Sequence, residues 1–156
     1  MTAMTALLRP YRPDDEEAAI ALWHRSWQTA YPAIDFSERL PWWRTRWNDE
    51  LVPNATITAA EYDTTLSGFV TVDVVGYLDQ LVVAPEHWGS GIATALVEEA
   101  KRISPSHLEL HVNEDNARAL RFYGKHGFEI RSDDVNPVSG KPIHVMRWIP
   151  KAVDPS

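Results

Sequence analysis

The sequence predicts a mixed α+β fold, a mostly antiparallel sheet of about seven strands flanked by about four helices. Three observations predict it. Apolar periodicities of two and of about 3.6 alternate in the order strand, two helices, three strands, helix, strand, helix, two strands. The three consecutive strands are joined by short turns and should pair antiparallel. The strand–helix–strand unit over residues 77–112 calls for a right-handed parallel crossover, which makes the sheet mixed. At 156 residues the chain fits a single domain, residues 1–156, long enough to bury its own core.

Each element has a local reason. Leu7 to Tyr11 reads as a short opening strand. Pro13 followed by Asp14, Asp15, Glu16 and Glu17 starts a helix with acids in its first turn, and Ile20, Trp23 and Trp27 form its apolar stripe. Residues 35–51 read as a second helix, with Pro41 near its start and Leu40, Trp43 and Trp47 on one face. "ATITAAEYD" and "LSGFVTVDV" alternate around the turn Asp63-Thr64-Thr65, a hairpin signal. "YLDQLVVAP" is a fourth strand, stopped by Pro85. A helix follows and ends near Ser104-Pro105. "HLELHV" alternates as a fifth strand. "NEDNARALRFYGKHGF" is a helix capped by Asn or Asp and closed by Gly127. "EIR" and "IHVMRW" are the last two strands, separated by the turn-rich "SDDVNPVSGKP".

Composition excludes several function classes. There is no cysteine, so disulfides, cysteine metal sites and a cysteine nucleophile are ruled out. The net charge is −7 with no Lys/Arg run, so no nucleic-acid partner is expected. The acidic surface suits a small cationic partner or solubility alone. No apolar run approaches the ~20 residues of a membrane span. The opening "MTAMTALLRP" lacks a basic and apolar leader. A cytoplasmic protein without a membrane segment is therefore expected, either monomer or homodimer. His107 and His111 stand four apart on a strand and cannot converge as helical ligands do, so no metal is expected.

The stretch "HWGSGIATALVEEAKR" carries the functional signal. Gly89-Ser90-Gly91 stands where a helix must begin, although glycine in a helix costs ~1 kcal/mol against alanine. Two readings are open: a plain tight turn, or backbone N–H groups gathered for a phosphate at a helix N-terminus. Two familiar phosphate loops do not fit. A Gly-Lys-[Ser/Thr] ending is absent, and Thr94 stands where a dinucleotide fingerprint needs its third glycine.

The wider context resembles the GNAT-type N-acetyltransferases. That family's cofactor segment has Gln or Arg, any two residues, Gly, any residue, then Gly or Ala, after a strand ending near Val-x-Pro. Here it matches Trp88-Gly89-Ser90-Gly91-Ile92-Ala93, with Trp88 departing at the first position. A second signature matches at Asn116, Ala117, Tyr123, Gly127 and Phe128. The resemblance implies the GNAT fold and acetyl transfer from acetyl-CoA to a primary amine, on a small molecule or a peptide. A non-catalytic acyl-CoA sensor on the same fold is the alternative.

The resemblance also implies roles. The pyrophosphate of acetyl-CoA would rest on the amides of Trp88, Gly89, Ser90, Gly91, Ile92, Ala93 and Thr94, with hydroxyls of Ser90 and Thr94 as further donors. The pantetheine arm would run beside Leu81, Val82 and Val83 between splayed fourth and fifth strands, with the Val82 or Val83 N–H as oxyanion donor. Tyr123 would donate to the leaving thiolate, or it is a packed aromatic. Asn116 caps a helix, touches the pantetheine arm, or both. The sequence itself does not single out the base that takes the amine's proton: Asp79 is the expected candidate, with Glu109 and His111 beside it, and a solvated surface residue is the alternative for each. Trp27, Tyr31, Trp42 and His111 are expected to line the acceptor site. Core packing is the alternative for the tryptophan cluster at Trp23, Trp27, Trp42, Trp43 and Trp47.

Overall fold

The computed structural model describes residues 6–151. The first five residues, part of the stretch in which no leader is expected, lie outside them. The elements in chain order are β1 (Leu7–Pro10), α1 (Glu16–Ala30), α2 (Leu40–Arg46), β2 (Ala55–Tyr62), β3 (Thr65–Asp73), β4 (Leu78–Val83), α3 (Ile92–Ile103), β5 (Leu108–Asn113), α4 (Ala117–Lys125), β6 (Glu129–Val135) and β7 (Pro142–Trp148). A 3₁₀ turn (Phe36–Arg39) leads into α2. Behind α2 come a π turn (Trp47–Leu51) and one last helical turn (Val52–Asn54), so the expected second helix is a composite.

The strands form two antiparallel sheets, β1-β2-β3-β4 and β5-β7-β6. Asp63 and Thr64, at φ 51° and 61°, close the β2–β3 hairpin in the left-handed geometry that matches strand twist. The expected parallel pairing of β4 with β5 shrinks to one bridge, Tyr77 to Glu109. β5 pairs with β7 on its other edge along its whole length, from Leu108–Trp148 to Asn113–Ile143, and leaves the edge facing β4 open. Beyond the bridge the twist of each sheet carries the two strands apart. The last hairpin is also longer than "EIR" suggests. β6 runs on through Ser132, Asp133 and Asp134 and pairs Val135 with Pro142. Those polar residues suit an exposed edge strand as well as they suit a turn.

Two cores flank the first sheet. The stripe Ile92, Leu96, Val97 and Ala100 of α3 packs on Val70, Val72 and Leu78, and continues under the second sheet through Leu108, Leu110, Val112, Phe128 and Met146. The other core is aromatic: Trp23, Phe36, Trp43 and Trp47 with Phe69 and Val82. Trp23 and Trp43 stack at 4.5 Å with 9° between ring planes. Trp47 is fully buried and its indole N–H donates to the Tyr11 hydroxyl at 3.1 Å. The expected stripes of α1 and α2 therefore form core.

Candidate active site

The glycine turn has the shape of an anion cradle. Gly89 and Gly91 adopt φ of 82° and 99°, and a Cβ on either would meet nothing within 4 Å. Conformation, not space, demands glycine at both. Gly91 is the N-cap of α3, and its carbonyl accepts the first helical bond from Ala95 N–H at 3.0 Å. Among the described residues, the N–H groups of Gly89, Gly91, Ile92, Ala93 and Thr94 have no protein acceptor. Two of the expected amides are already used: Trp88 N–H donates to Pro85 and Ser90 N–H to His87, at 3.2 and 3.1 Å. The two hydroxyls differ in their surroundings. Ser90 Oγ is buried without a partner, and Thr94 Oγ1 lies 3.4 Å from His126 Nε2. The cradle offers free backbone N–H groups and the unpartnered Ser90 hydroxyl, with the positive end of a helix behind them.

A cleft of about 210 Å³ leads from this turn along β4, with Ser26, Trp27, Tyr31, Leu81, Val83 and Tyr123 among its walls. Its floor is the edge that β4 turns toward β5. Ala84 N–H donates to Ser67 across the β3 ladder, and Gln80 N–H to Thr71 Oγ1. Peptide groups alternate along a strand, so Val82 also faces β3, while Leu81 and Val83 face the cleft. Of the expected oxyanion donors only Val83 is turned correctly, and Leu81 joins it. The Val83 carbonyl already accepts from Ser26 Oγ at 3.0 Å and from the Trp88 indole N–H at 2.8 Å.

Tyr123 comes from α4 on the opposite wall. Its ring packs on Phe122 and Phe128, with centroids 5.2 and 5.3 Å away, and its hydroxyl bonds to no described residue. Burial pushes its pKa well above the ordinary 10. Asn116 does two things: its Oδ1 caps α4 by accepting from Ala119 N–H at 3.1 Å, and it lines the cleft. Tyr31 spans the gap from the end of α1. Asn113 Nδ2 donates to its hydroxyl at 3.1 Å, and burial raises its pKa too.

The geometry meets its counterpart in known proteins. Residues 16–128 match the model of the acetyltransferase (GNAT) family. The chain belongs to that family. Peptidyl-lysine N-acetyltransferase YjaB of Salmonella typhimurium is 29% identical over 143 residues, covering 91% of this chain and 96% of that protein. Peptidyl-lysine N-acetyltransferase YiaC of Escherichia coli is 28% identical over 145 residues, with coverage of 91% and 96%. The solution structure of apo YjaB from Escherichia coli superposes with a TM-score of 0.77 at 25% identity, over 93% of this chain and 98% of that one. The GNAT chain described here is an N-acetyltransferase that uses acetyl-CoA and takes an amine as acceptor.

Several expected site residues of this GNAT protein fall elsewhere. Asp79 is not available as a base. Arg46 grips both of its oxygens (Nη1 to Oδ1 at 2.9 Å), and Gln80 Nε2 donates to Oδ1 at 3.0 Å. A carboxylate gripped by a bidentate guanidinium and an amide has its acceptor positions taken. Trp42 is 44% exposed, tilts against Trp43, and is not part of the cleft wall. His111 lies outside the cleft, tilted against Tyr77 in a second depression with Asp73, His107 and Glu109. Trp27 and Tyr31 do line the cleft. Ser26 and Arg118 line it unannounced. A signal for Ser26 exists, since it puts a hydroxyl in the buried stripe Ala19, Ile20, Leu22 and Trp23.

Among the described residues, no helix is long and apolar enough to cross a membrane and no cluster of side chains has the makings of a metal site.

Proposed function

We propose that this N-acetyltransferase acetylates lysine side chains of peptides or proteins, by direct attack of the amine on the thioester of acetyl-CoA. Two relatives, similar over nearly their whole length, are peptidyl-lysine N-acetyltransferases. The observation that carries the mechanism is the pairing of unsatisfied donors on the two cleft walls: Leu81 and Val83 N–H on one side, the Tyr123 hydroxyl on the other.

The diphosphate of the cofactor would sit on the N–H groups of Gly89 and Gly91 to Thr94. The pantetheine arm would follow β4, using the groups of Leu81 and the N–H of Val83. The C–N bond forms as the neutral amine attacks, and the carbonyl oxygen gains charge against a preformed N–H of β4. The C–S bond then breaks. With no cysteine in the chain, no acetyl-cysteine intermediate arises. Tyr123 stabilises the leaving thiolate by donating a hydrogen bond. Its ordinary pKa already exceeds a thiol's by about 1.5 units, roughly 2 kcal/mol against full transfer. Full transfer is therefore uphill, so the phenol keeps its proton and the thiolate takes one from water. With Asp79 engaged and Glu109 and His111 in a separate depression, the amine's proton passes to water in the open cleft.

An acceptor panel tests this reading: a peptide with one free lysine and a blocked N-terminus, a peptide with a free N-terminus and acetylated lysine, and a polyamine, each with acetyl-CoA. Thiol release should be fastest with the lysine peptide. Turnover confined to the polyamine or to the free N-terminus would overturn it.

A further inference from the structure

The family pattern places Gln or Arg at position 88, and this chain has tryptophan. The structure shows what the tryptophan holds. Its indole N–H is fixed on the Val83 carbonyl at 2.8 Å, which anchors the ring at the end of β4. The guanidinium of Arg118, from the first turn of α4, lies 4.0 Å over that ring. Both residues line the cleft beside the glycine turn. The stack therefore joins the two walls of the cleft where the unpaired N–H groups begin.

Arg118 differs from most arginines of the chain. Arg9, Arg25, Arg44, Arg46, Arg102 and Arg131 each lie within salt-bridge range of a carboxylate. Arg118 has none among the described residues and makes no hydrogen bond to them. A guanidinium held over an aromatic face by cation–π attraction spends none of its N–H groups on a hydrogen bond to the ring's edge, and they stay available for a planar or tetrahedral anion. Next to it stand backbone N–H groups that share the same chemistry. In a chain of net charge −7, a guanidinium without a carboxylate partner at this mouth is a favourable place for an anion.

We infer that Arg118, held by Trp88, binds the phosphates of the acetyl-CoA cofactor and sets the chain's preference for phosphorylated thioesters. The inference rests on the acetyl-CoA reading above. The tryptophan takes over part of the role of the charged or amide side chain it replaces. It supplies no charge itself and presents one from across the cleft. Trp88 is a positioning residue, and Arg118 is the one that touches the ligand.

The experiment compares two acetyl donors, acetyl-CoA and S-acetylpantetheine, which carries the same thioester arm without phosphates. For Arg118→Gln, the ratio of kcat/KM for acetyl-CoA over S-acetylpantetheine should fall at least tenfold relative to the unsubstituted protein, and the salt dependence of the acetyl-CoA KM should flatten. Arg118→Lys should restore part of the ratio. Trp88→Phe keeps a ring face but loses the Val83 bond, and should fall between the two. An unchanged ratio in Arg118→Gln overturns the proposal, as does equal loss on both donors, and either result leaves acetyl transfer itself intact. An unsubstituted protein that turns over neither donor overturns both.

Discussion

The tryptophan face of the four-stranded sheet and the gap at its β4 edge share residues and obey opposite rules. Val82 points its side chain into the aromatic core, while its neighbours Leu81 and Val83 turn their peptide groups to the gap. On the tryptophan face rings fill the space: Trp43 and Trp47 are 1% and 0% exposed, and the indole of Trp47 finds the Tyr11 hydroxyl. At the gap, N–H groups and the Tyr123 hydroxyl find no partner in the protein. Unmet hydrogen-bonding capacity costs stability; the aromatic face carries it at the Trp43 indole N–H, whereas the gap gathers a whole row of such groups where a ligand can use them. One region holds the chain together, and the other is left incomplete for the cofactor.

Substitutions should separate the two. The largest effect is expected on the closed side. Trp47→Ala opens a cavity in a filled aromatic core and should cost about 3–5 kcal/mol of unfolding free energy. In denaturant titration its midpoint should drop sharply, while the fraction still folded keeps its KM for acetyl-CoA. A Trp47→Ala protein of unchanged midpoint would mean that the aromatic face is not the stabilising one. On the open side the pattern reverses. Tyr123→Phe removes a hydrogen bond to a charged leaving group, worth ~1.5–3 kcal/mol. Its kcat should fall about ten- to a hundredfold, with the denaturation midpoint nearly unchanged. Full kcat with a good acceptor would remove Tyr123 from the chemistry.

A smaller effect sharpens the comparison at the root of the gap. Burial first, then the nearby Asp79 charge, pushes the Tyr77 hydroxyl up to about 12. The folded state therefore keeps a proton that the unfolded chain loses near pH 10. Stability should be intact below pH 10 and decline as the pH rises to about 12. Tyr77→Phe should show a shallower alkaline decline than the unsubstituted protein in pH-dependent thermal melts. Identical slopes would contradict the assignment.

Local signals in the sequence carried much of this. The stripes at Ile20, Trp23 and Trp43, the hairpin at Asp63-Thr64, and the glycine turn are each written in contiguous residues, and each stands in the structure as read. What stayed illegible depends on distant partners. Nothing near Asp79 announces that Arg46, thirty-three residues earlier, will occupy its carboxylate. Nothing in "HLELHV" shows that the far edge of this strand will pair with β7. The orientation of Val82 against Val83 follows from register with β3, which apolar alternation alone leaves unset. Arg118 drew no notice because its meaning lies in the ring of Trp88, on another element.

The account turns on which backbone N–H groups receive the cofactor. The most direct measurement is a titration of isotopically labelled protein with coenzyme A, followed by amide ¹H–¹⁵N correlation spectra. The amides of Gly89, Gly91, Ile92, Ala93 and Thr94 should move most, with Leu81 and Val83 following. Ser90, whose N–H is already bonded to His87, should move less. Saturable binding that leaves the Gly89–Thr94 amides in place, with the largest shifts elsewhere, would contradict the account.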